Sequence, residues 1–91
     1  MSLRLNSEGR LEFPCRYPIK AMTAGGTEVI EAVLQLLRAD GFDPDPDKLQ
    51  VRPSRNGRYQ AITIEIEADS RARLEAVHAR LRALDGVVML L

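Results

Sequence analysis

Tyr59-Gln60-Ala61-Ile62-Thr63-Ile64-Glu65-Ile66-Glu67-Ala68 alternates apolar and polar residues over most of its length. A period of two sets Ile62, Ile64 and Ile66 on one side of a strand, with Thr63, Glu65 and Glu67 on the other. One face of a sheet is therefore buried. The opposite face is left to water or to a partner. Just upstream, Arg55-Asn56-Gly57 reads as a hairpin turn, in which Asn-Gly supplies positive φ at little steric cost. Leu49 to Ser54 reads as the strand before it, with Leu49 and Val51 inward and Pro53 at its end or at a sheet edge.

Outward from this hairpin, each flank holds a helix and a strand. Val29, Ile30, Val33, Leu34 and Leu37 recur at helical spacing. Thr27 is placed to cap that helix, Glu28 and Glu31 meet the positive end of its dipole, and Gly41 ends it near Asp40. Asp43-Pro44-Asp45-Pro46-Asp47 fits nothing regular and reads as a loop. On the other flank, Asp69 or Ser70 caps a helix with Leu74, Val77, Leu81 and Leu84 on one stripe. Arginines at 71, 73, 80 and 82 cover its remainder, Gly86 stops it, and Val87 to Leu91 forms a final apolar strand. From Arg16 to Met22 the first strand sets Tyr17, Ile19 and Ala21 against Arg16, Lys20 and Met22. Pro14 and Pro18 lack the N–H a ladder needs, so this strand is expected to start late or at an edge.

The resulting order is β-α-β-β-α-β, the ferredoxin-like arrangement. The expected fold class is α+β: a four-stranded antiparallel sheet with both helices on one face, placed there by right-handed crossovers. Residues 1–12 read as a flexible arm and 13–91 as a single domain.

Composition narrows the function classes. Thirteen basic and thirteen acidic residues cancel, so the excess cation that phosphate backbones select is missing and no nucleic acid is expected as a partner. No apolar run approaches the roughly 20 residues that span a bilayer, so no membrane partner is expected either. Cys15 is the only cysteine, which rules out an internal disulfide and fits a cytoplasmic setting.

Catalytic chemistry finds little support. Cys15 precedes the first strand and His78 is mid-helix, so nothing in the sequence joins them. No metal site is expected, because one Cys and one His cannot build zinc coordination. The alternating aspartates of the 43–47 loop lack the terminal glutamate of a calcium loop. An acylphosphatase-like hydrolase would need an arginine in the loop after the first strand, and Thr23 to Gly26 has none. Gly25 and Gly26 before the Thr27 helix could cradle a small anion, since free N–H groups cluster at a helix start. No catalytic residue and no cofactor is expected. The chain is not expected to be an enzyme.

Leu11-Glu12-Phe13-Pro14 followed by Ile19-Lys20-Ala21-Met22 resembles the opening signature of the YbeD-like family of small uncharacterised bacterial proteins. Val51-Arg52-Pro53-Ser54, then Gly57 and Tyr59, is similar to that family's central hairpin. The resemblance covers roughly residues 11–91 and implies a ferredoxin-like fold akin to ACT regulatory domains, which bind amino acids or related small molecules and pair side by side. It also implies a link to lipoate metabolism. Phe13, Pro14, Lys20, Met22, Ser54, Gly57 and Tyr59 carry over as motif positions; the family's glycine after the methionine is replaced here by Thr23.

The expected function is a non-catalytic regulatory binding module. It would sense a small carboxylate ligand or modulate a partner enzyme, with a homodimer implied by the ACT likeness. Candidate ligand or partner residues are Lys20, Met22, Thr23, Gly25, Gly26, Thr27, Ser54 and Tyr59. The alternative is a protein-docking adaptor that uses the open sheet face.

Overall fold

The computed structural model describes residues 12–91. The expected arm lies almost entirely outside the described residues. Seven elements follow in order: β1 (Cys15–Thr23), α1 (Thr27–Ala39), a short 3-10 turn (Pro46–Lys48), β2 (Gln50–Pro53), β3 (Gln60–Ala68), α2 (Arg71–Arg82) and β4 (Val87–Leu90). The strands form one antiparallel sheet in the order β2-β3-β1-β4. This is the ferredoxin-like βαββαβ fold that the alternation at 59–68 implies.

The central ladder pairs all nine residues of β1 with β3, Ile19 opposite Ile64 and Ala21 opposite Ile62. Ile62, Ile64 and Ile66 are each at most 1% exposed. They are covered by Ile30, Val33, Leu34 and Leu37 of α1 and by Leu74, Val77 and Leu81 of α2. Without tryptophan, the core is closed by branched aliphatic side chains that fill a two-layer gap.

The helix ends depart in part from expectation. Gly26, at φ 72°, is the N-cap of α1, and no side-chain hydrogen bond caps that helix. Thr27 is already helical and does not cap. Ser70 does cap α2, its Oγ accepting from the Arg73 amide at 3.2 Å. At the far end of α1, Arg73 donates through Nη2 to the Asp40 carbonyl at 2.6 Å, while Arg80 forms an ion pair with the Asp40 carboxylate. The Arg73 guanidinium also lies 4.6 Å from the Phe42 ring centroid. Two of the four arginines that the sequence assigns to the outside of α2 thus tie it to the end of α1.

Three further readings are corrected. The 43–47 loop contains a 3-10 turn: Asp45 Oδ1 accepts from the Asp47 amide at 2.9 Å and Pro46 opens the turn with φ already set. Val51 sits opposite Ile62, on the helix side of the sheet, yet is 43% exposed because β2 is an edge strand beyond the reach of both helices. The hairpin turn is not an Asn-Gly two-residue turn. Only Gly57 takes positive φ, and Asn56 acts through its side chain, which accepts from the Arg58 amide at 3.0 Å.

Two outcomes follow from this packing. Ile64→Ala should lower the urea-unfolding free energy by about 2–5 kcal/mol, as expected for a fully enclosed residue, whereas the exposed Val51→Ala should cost under about 1 kcal/mol. The second concerns His78, whose ring packs against Tyr17 with centroids 5.7 Å apart. Burial first, and the nearby Arg82 second, lower its pKa below the ordinary 6.5. The unfolded chain therefore takes up this proton first as the pH falls. The contribution is intact above pH 6.5 and is lost progressively below it. The urea midpoint should drop between pH 7 and 5, and His78→Phe should remove part of that slope.

Candidate functional site

Because both helices cover one face, the other face of the sheet has no layer over it among the described residues. Register fixes what that face displays. Arg52, Ala61, Met22 and Met89 form one row across the four strands; Gln50, Thr63 and Lys20 form the next. Pro18 stands opposite Glu65, and Arg16 opposite Glu67. The face therefore changes character along the strands, from apolar near Met22 and Met89 to charged near Glu65 and Glu67.

A depression of about 470 Å³ lies on this face, lined by Pro18, Lys20, Asp47, Lys48, Gln50, Thr63 and Glu65. The 3-10 turn supplies its rim through Asp47 and Lys48. A second depression, about 440 Å³, is shared by Arg16, Lys48, Glu65, Glu67 and the Asp43–Pro46 segment. Lys20 is exposed and forms no ion pair among the described residues; Glu65 pairs with Arg16 instead, at 3.9 Å. That diagonal pair is partly wet and contributes little to stability. Lys20 is held by its backbone ladder, with its ammonium free to meet an incoming group.

The other candidates scatter. Thr23 is fully buried, and its Oγ1 donates to the Gln60 carbonyl at 3.2 Å. Gly25 has φ 118°, and a Cβ there would come 2.6 Å from Val29 Cγ2. Gly86 packs against the same Val29 side chain, and its carbonyl accepts from the Ala24 amide at 2.7 Å. The Thr23–Thr27 loop is thus fastened to the turn before β4. Its glycines serve close packing as well as the helix start. Ser54 is spent inside the hairpin, its Oγ accepting from the Tyr59 amide at 3.0 Å and donating to Asn56 Oδ1 at 3.0 Å. Tyr59 is half-buried beside it. Of the eight candidates, Lys20 and Met22 share the open face, Ser54 and Tyr59 lie beyond them at the hairpin tip, and Thr23, Gly25, Gly26 and Thr27 belong to the loop and helix start.

Lys48 and Gln50 join the site without having been singled out in the sequence, and Asp47, weighed there only as part of a calcium-like loop, joins it as a rim residue. The folding of the 3-10 turn along β3 brings Asp47 and Lys48 to it, and Gln50 arrives through its pairing with Thr63. Cys15 is buried, and no hydrogen bond joins it to His78 among the described residues. No group of three or more potential metal ligands occurs among the described residues. No described helix is long and apolar enough to cross a membrane.

Fold and face together define a small α+β protein of the ferredoxin-like kind with one open sheet surface. A family model described as a protein of unknown function (DUF493) matches residues 8–91. The UPF0250 protein NE1487 of Nitrosomonas europaea is 36% identical over 87 residues, covering 96% of this chain and all of that one. A UPF0250 protein of Azotobacter vinelandii is 37% identical over 83 residues, covering 90% of each. The chain belongs to this DUF493/UPF0250 family of small bacterial proteins, the YbeD-like family. The solution structure of protein HP0495 from H. pylori shares the fold, with a TM-score of 0.75 at 17% identity over 93% of this chain and 89% of that one.

The fastened loop has a measurable signature. At Gly86, φ is 91° and a Cβ would approach the Ala24 carbonyl oxygen to 2.8 Å. Gly86→Ala should destabilise the fold by about 1–3 kcal/mol, read as a lower thermal midpoint. Gly57→Ala, also at positive φ but with open space around it, should cost less.

Proposed function

We propose that the chain is a non-catalytic regulatory module that binds a partner protein through the open face of its sheet. The observation that carries this reading is the uncovered face itself, with Lys20 unpaired among the described residues at the edge of one shallow, polar depression and a second adjoining that depression at Lys48 and Glu65. Shallow mixed-charge surfaces suit protein contacts better than they suit small ligands, which favour enclosed and mostly apolar pockets. The loop at Thr23–Thr27 supports small-molecule sensing less well, because its buried threonine and Val29-packed glycine are already engaged in the fold.

The test is quantitative capture from a bacterial lysate with the tagged full chain and two variants. Lys20→Glu combined with Glu65→Lys reverses the centre of the face while keeping the net charge; Thr27→Ala alters the loop at an exposed position. Partners retained by the wild type and by Thr27→Ala should fall to background with the face variant. If the face variant captures them at wild-type levels, the reading is wrong.

A further inference from the structure

The 17 residues from Lys48 to Ile64 contain four cations (Lys48, Arg52, Arg55 and Arg58) and no carboxylate, although the whole chain is neutral. Three of them, Arg52, Arg55 and Arg58, are exposed on the β2–β3 hairpin and have no carboxylate partner among the described residues. Arg16, Arg73 and Arg80, by contrast, are all paired. The hairpin tip is tied internally: the Ser54 amide donates to the Tyr59 carbonyl at 2.8 Å, and Asn56 Oδ1 accepts from both the Ser54 hydroxyl and the Arg58 amide at 3.0 Å. Its polar side chains are consumed by the turn, and the guanidiniums are what it presents. At the other end of β3, four carboxylates (Asp43, Asp45, Glu65 and Glu67) line one depression with only two cations, Arg16 and Lys48.

From Gln60 to Glu67 the strand rises roughly 23 Å. That is well beyond the screening length of about 8 Å at physiological ionic strength. A partner in contact therefore meets two separate patches of opposite sign, whatever the net charge. From this we infer that the open face takes a charge-polarised protein segment in one direction, acidic residues against Arg52, Arg55 and Arg58 and basic residues against Glu65, Glu67 and the 43–45 loop. About seven or eight extended residues would span the distance. A nucleic acid fits the face poorly: the carboxylate end repels a continuing polyanion, and Tyr59, half-buried, is the one aromatic near the tip, where single-strand binders stack successive bases on several.

The inference rests on the open-face reading, and the two fail in different ways. Capture that survives Lys20→Glu/Glu65→Lys sinks the face itself, whereas the experiment here uses a synthetic probe and reads polarity alone. The ¹⁵N-labelled full chain is titrated with a peptide of four glutamates, two serines and four lysines, carrying a nitroxide at its glutamate end. Amides of residues 52–58 should shift and broaden, those of 43–47 should shift without broadening, and both effects should fade at about 0.5 M salt. Arg55→Glu with Arg58→Glu should weaken binding by about tenfold or more. Arg71→Glu with Arg82→Glu, the same charge change on exposed α2 positions, should leave it within about twofold. Broadening at 43–47, absence of shifts at millimolar peptide, or equal losses in both double variants would overturn the inference. So would tighter binding of a single-stranded thymidine decamer at the tip, or a concentration-dependent self-association abolished by the hairpin variant, which would make the occupant a second copy.

Discussion

Everything else in this molecule depends on the nine-residue antiparallel ladder between β1 and β3. It runs the full length of the two central strands, and a slip of one residue would turn Ile62, Ile64 and Ile66 outward and expose Glu65 and Glu67 to the core. Burying two carboxylates without partners is prohibitive beside the few kcal/mol of net stability a domain of this size holds. The register is thus set by what the wrong register would cost. Once it is set, the helices have one face to cover, and the open face displays a fixed array of groups.

That dependence explains which features were legible in advance. The core face of β3, the stripe of α2 and the order of elements could all be read, because each is a periodic pattern that tertiary packing rewards. Lys20 and Met22 could be placed on the open face by the same alternation. Asp47 and Lys48 could not, since a loop carries no period and its path follows from a 3-10 turn lying along β3. Thr27 looked like a cap by residue type. The backbone chose Gly26 instead, because the close approach of Gly25 and Gly86 to Val29 fixes where the helix begins. Asn56-Gly57 likewise had the composition of a two-residue turn, but Ser54 and Asn56 offered side-chain acceptors for the amides of a longer one.

The clasp at Asp40 shows the limit of a helical-wheel reading. Arg73 and Arg80 lie outside the apolar stripe of α2 and look like solvated surface. Three-dimensional proximity to the end of α1 gives them acceptors there, and the Phe42 ring gives Arg73 a face to lie against. Charged side chains thereby help fix the relative placement of the two helices. Among the described residues Arg52, Arg55 and Arg58 pair with no carboxylate, which separates them from the cations tied into the fold.

Pro18 lies in the middle of a central strand, where a missing donor should break a ladder. The Lys20 carbonyl accepts from the Leu91 amide at 2.9 Å, so alternation points the backbone groups of Arg16 and Pro18 toward that same side. β4 reaches only Ala21 to Thr23, so this flank of β1 has no neighbouring strand among the described residues. The proline is tolerated because its missing N–H falls where no ladder bond is made. An intruding chain would find an incomplete template there: with a donor withheld at Pro18, this flank is a poor seed for the runaway strand stacking that turns exposed sheet edges into insoluble aggregates.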